Sequence, residues 1–62
     1  MTTDRHTEAR RALDVALSIG YTCQSMACDY ATAALEAQGY DADLAADAVR
    51  AAWDEMQKDA KL

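Results

Sequence analysis

The chain has 62 residues, 52% of them apolar, and a formal net charge of -5. That length allows one domain at most, and a core this small rarely supplies more than ~3–5 kcal/mol of net stability, which leaves little to hold a strained or desolvated catalytic site. The excess of acid repels phosphate backbones, so a direct nucleic-acid binder is disfavoured.

Fifteen residues are alanine, two are glycine, and proline and phenylalanine are absent. Alanine is the strongest intrinsic helix former, and no proline interrupts a helical run. The first predicted helix spans about 4–19. Its Ala9, Ala12, Leu13, Ala16 and Leu17 follow the i, i+3, i+4, i+7, i+8 spacing of one buried face. Val15 and Ile19 are expected to widen that face. His6, in the charged first turns, is expected to be solvent-exposed.

The first joint is Ile19-Gly20-Tyr21-Thr22. Gly suits the left-handed residue that closes a helix, and Thr is a good N-cap for the next. Tyr21, just before that cap, is placed to staple onto the following helix toward Met26. The second helix is predicted over 23–38, with Cys23, Met26, Ala27, Tyr30, Ala31, Ala34 and Leu35 on its stripe. The second joint, Gln38-Gly39-Tyr40-Asp41, repeats the first at an offset of 19 residues. Its Tyr40 points toward Leu44 or Ala45. The third helix is predicted over 42–58, with Leu44, Ala45, Ala48, Val49, Ala52, Trp53 and Met56 on its stripe. Residues 59–62 are expected to fray.

Linkers this short make neighbouring helices double back. The expected fold is all-α: one domain over 1–62, a compact three-helix bundle with short Gly-Tyr joints. Alanine lets the helices approach closely. Leu13, Leu17, Met26, Leu35, Leu44, Val49 and Trp53 are expected to fill the remaining space.

The N-terminus lacks the apolar stretch of a signal peptide, and no apolar run approaches ~18–20 residues. A cytoplasmic location follows as the expectation, with Cys23 and Cys28 as reduced thiols and no membrane partner. Opening on Met1 without tag or linker sequence, the chain reads as a complete small protein.

Charge is unevenly distributed. From Ala12 to Val49 there is no Lys or Arg, while the segment holds Asp14, Asp29, Glu36, Asp41, Asp43 and Asp47. All bases lie outside it, so the middle of the molecule reads as uncompensated negative charge. Part of this is ordinary helix chemistry: Asp41 as an N-cap, Asp43 in a first turn, and Asp47–Arg50 and Asp54–Lys58 at the spacing of surface ion pairs. Two features resist that explanation. Glu36 lies near a helix C-terminus, where the dipole disfavours an anion. Asp43, Asp47 and Asp54 share one face at i, i+4 and i+11, where like charges repel.

No catalytic constellation stands out. Cys23 and Cys28 lack further ligands for zinc, residues five apart on one helix are poorly placed for a disulfide, and both read as small buried side chains. A Cys–His nucleophile would need a third, orienting group and a pocket. The acids look solvated, and Gly20 and Gly39 form no phosphate loop. No catalytic residue, metal or cofactor is therefore assigned, and the chain is expected to act by binding, as a monomer or small homo-oligomer. Trp53 is expected to close the core, and Tyr30 and Tyr40 divide between core edge and interface.

The Ile19-Gly20-Tyr21 turn is similar to that of ubiquitin-associated domains, but Ile replaces their Met, and the stretch from Gly20 to Trp53 is too long for that family. A helix-turn-helix reading would place acids where the recognition helix needs bases. In general character, an acidic helical chain of this size without catalytic or metal motifs resembles the small anti-CRISPR proteins of phages and mobile elements. The comparison is carried by Asp29, Glu36, Asp41, Asp43, Asp47 and Asp54. It implies a stoichiometric inhibitor whose carboxylates occupy the basic nucleic-acid-binding surface of a protein partner. The alternative is a helical adaptor or accessory subunit that docks an apolar face bearing Trp53 and Met56 on a partner helix.

Overall fold

The computed structural model describes residues 4–60, with the side chain of Ala60 left out. Three helices form: α1 over Arg5–Ser18, α2 over Gln24–Ala37 and α3 over Ala42–Ala60. Each packs against both others, in a bundle of 32 × 22 × 20 Å. This is the expected all-α three-helix arrangement. Helix α3 continues two residues past its expected end at 58 and includes Asp59. Lys61 and Leu62, expected to fray, lie outside the described residues, as do Met1 to Thr3.

The two joints close in the same way. Gly20 and Gly39 have φ of +112° and +102°, a region that residues with a Cβ rarely adopt. Around Gly20, the amide of Tyr21 donates to Ala16 O at 2.9 Å and that of Gly20 to Leu17 O at 3.3 Å. Around Gly39, Tyr40 donates to Leu35 O at 3.2 Å and Gly39 to Glu36 O at 3.0 Å. Both are Schellman closures, which satisfy carbonyls a helix end would otherwise leave unpaired.

The starts of the next helices differ. At α3, Asp41 Oδ1 accepts from the amides of Asp43 at 2.9 Å and Leu44 at 3.5 Å, the expected cap. At α2 the cap falls on Cys23, one residue after the expected Thr22, with no side-chain hydrogen bond to the backbone. This shift leaves Thr22, not Tyr21, just before the cap. Tyr21 packs against Tyr30 instead of Met26, with ring centroids 5.5 Å apart and planes tilted by 43°. Helix α1 starts on Asp4, whose Oδ1 accepts from Thr7 N at 3.0 Å.

The core is Ala9, Ala12, Leu13, Ala16, Ala27, Ala31, Leu35, Ala45, Val49 and Ala52. Its only large members are Leu13, Leu35 and Val49, each worth roughly 1.5–3 kcal/mol of burial. Tyr21, Tyr30, Tyr40, Trp53 and Met56 are partly buried against it. Four expected core residues are exposed instead: Val15 at 47%, Ile19 at 58%, Met26 at 52% and Leu44 at 45%. Ile19 lies past the end of α1, at its C-cap, and helical rotation explains the other three. At about 100° per residue, Val15 lies about 200° round from Leu13, and Met26 and Leu44 lie about 140° from buried Ala31 and Val49. An alanine-lined core brings the helices close, and the buried stripe is correspondingly narrow.

Candidate functional site

An open groove runs between α2 and α3. Ser25, Cys28, Asp29 and Thr32 line it from α2, and Asp47 and Arg50 from α3. Cys28 reports on the charges around it. Burial raises its thiol pKa first, the neighbouring Asp29 and then Asp54 push the same way, and Arg50 opposes them. Two of the sequence-predicted residues, Asp29 and Asp47, line this groove, and Asp54 stands one turn beyond Arg50 on α3.

Helical spacing aligns two more with it. Asp29, Thr32 and Glu36 stand at i, i+3 and i+7 on α2, and Asp43, Asp47, Arg50 and Asp54 at i, i+4, i+7 and i+11 on α3. The short second joint makes the two helices antiparallel, which sets Glu36 and Asp43 toward the same end of the flank. Asp41 stands apart, because one of its oxygens is committed to capping α3. All six carboxylates are exposed.

Two expectations about charge need correction. The middle of the molecule is not free of bases, since Arg50, which immediately follows the base-free segment, lines this groove beside Asp29 and Asp47. Among the described residues, Asp47–Arg50 and Asp54–Lys58 do not pair within 4.0 Å. An aspartate holds its carboxylate one methylene closer to the helix than glutamate does, and Arg50 is shared with the groove.

The ion pairs lie elsewhere. Arg10 on α1 donates to Glu55 on α3 at 2.7 Å and approaches Asp59 at 3.8 Å, while His6 Nε2 sits 3.1 Å from Glu55. Hydrogen bonding from His6, the largest influence, and the charges of His6 and Arg10 hold the Glu55 carboxyl below the usual glutamate range. His6 is thus half-buried and paired rather than free in solvent. Sequence reading missed this cluster. Its signal, His6 and Arg10 one turn apart and Glu55 and Asp59 one turn apart, becomes meaningful only once α1 and α3 are known to be neighbours. Arg11 and Glu8 form a further contact on α1 at 3.8 Å.

The cysteines also differ from expectation. Both are free, but Cys23 is exposed at the start of α2 rather than buried, with its sulfur 3.5 Å from Ser25 Oγ. Hydrogen bonding from the Ser25 side chain, with help from the Ser25 and Met26 backbone, lowers its pKa. Cys28 is partly buried. Among the described residues, no three His, Cys, Asp or Glu side chains are gathered to hold a metal ion, and no helix is long and apolar enough to cross a membrane.

Fold and flank together define the class: a small all-α three-helix bundle with an acidic groove between its second and third helices. No protein-family model, curated protein or solved structure matches the chain.

Proposed function

We propose that this chain acts by binding rather than catalysis, as a stoichiometric inhibitor whose α2–α3 flank occupies the basic nucleic-acid-binding groove of a target protein. One observation carries this reading: Asp29 and Asp47 line a groove whose single base is Arg50, and neither has an ion-pair partner among the described residues. Like charges held this close destabilise a bundle with little stability to spare. A basic target relieves that repulsion. Its Arg and Lys side chains, which otherwise hold phosphates, form charge-assisted hydrogen bonds to the carboxylates, and DNA or RNA is excluded by competition. The anti-CRISPR proteins that the chain resembles are the class it would join.

The adaptor reading is less well supported, because Trp53 and Met56, its expected contacts, pack against the core.

Immobilised protein incubated with a nuclease-treated bacterial lysate tests the proposal. Screening shortens from about 10 Å at 0.1 M salt to roughly 4 Å at 0.5 M. A nucleic-acid-handling partner should be captured at low salt, released at high salt and displaced by added oligonucleotide. A partner retained at high salt and indifferent to oligonucleotide overturns the mechanism.

A further inference from the structure

We draw no further inference here: the strongest candidate, the shallow groove between α1 and α2 beside exposed Val15, carries none because nothing in the structure shows what covers it.

Discussion

On the side of α3 that faces α1, Glu55 and Asp59 are met by His6 and Arg10; on the side that faces α2, Asp47 shares an open groove with Asp29 and Arg50 and pairs with neither. One helix thus carries two acidic edges with opposite fates. The first is satisfied within the chain and fastens the far end of α3 to α1. The second is left unpaired on an open groove. Acidity alone does not mark a binding surface; acidity without an internal partner is the more informative feature, because a charge already paired offers an incoming base little further gain.

The largest effect separates the edges by function. Reversing the groove with Asp29→Lys and Asp47→Lys together should weaken capture of a basic target on the order of a hundredfold, as expected for two lost and reversed ion pairs. Its thermal midpoint should hold or rise, since repulsion is relieved. A matching reversal of the paired edge, Glu55→Lys, should lower the midpoint and leave capture intact. Equal loss of capture in both, measured at one salt concentration, would show that net charge rather than the groove is recognised.

A smaller effect sorts the acids of the open side. Asp41→Ala removes the cap of α3 and should cost about 1 kcal/mol, a fall in midpoint of roughly 4–8 °C for a domain of this size. Asp29→Ala, by contrast, should stay within about 0.5 kcal/mol of wild type. Calorimetry of the two distinguishes a structural acid from a free one, and equal losses would mean that Asp29 also holds the fold together.

The smallest effect lies in pH. The fold holds the Glu55 carboxyl below its usual range, so the stability it contributes is present at neutral pH and is lost as pH falls through its lowered pKa. His6 and Arg10 from α1, with Asp59 on α3 itself, are the charged groups about it. The stability gap between wild type and Glu55→Gln should therefore close on acidification. A gap unchanged from neutral to acid pH would remove the ion pair as its cause.

Much of the fold was legible in the chain because its signals are local. Gly20 and Gly39 end helices through bonds that reach only five residues back, to Ala16 and Leu35. Asp41 caps α3 through amides two and three residues on. The alanine-rich stripes located most of the core. Where sequence reading failed, a distant surface decided the outcome. Ile19 lies past the last turn of α1; Val15, Met26 and Leu44 are apolar and sit near the expected stripes, yet a residue rotated by about 100° or more from the stripe centre is buried only if another helix covers it. None does here. Cys23, one residue past the expected cap, shows the ordinary imprecision of helix ends.

The candidate site divides along the same line. Spacing within α2 aligned Asp29 with Glu36, and spacing within α3 aligned Asp43, Asp47 and Asp54, because helical geometry repeats over a few residues. That Asp29 and Asp47 border one groove, and that Arg50 enters it, depends on how α2 and α3 pack. Arg10 and Glu55, 45 residues apart, meet only because α1 and α3 lie side by side. Composition, turn glycines and apolar periodicity by themselves determined three helices and their order, since each acts within a turn or two of chain. Which acids are answered and which apolar side chains stay outside was decided only by tertiary packing, where the rotation of each helix about its axis selects its neighbours.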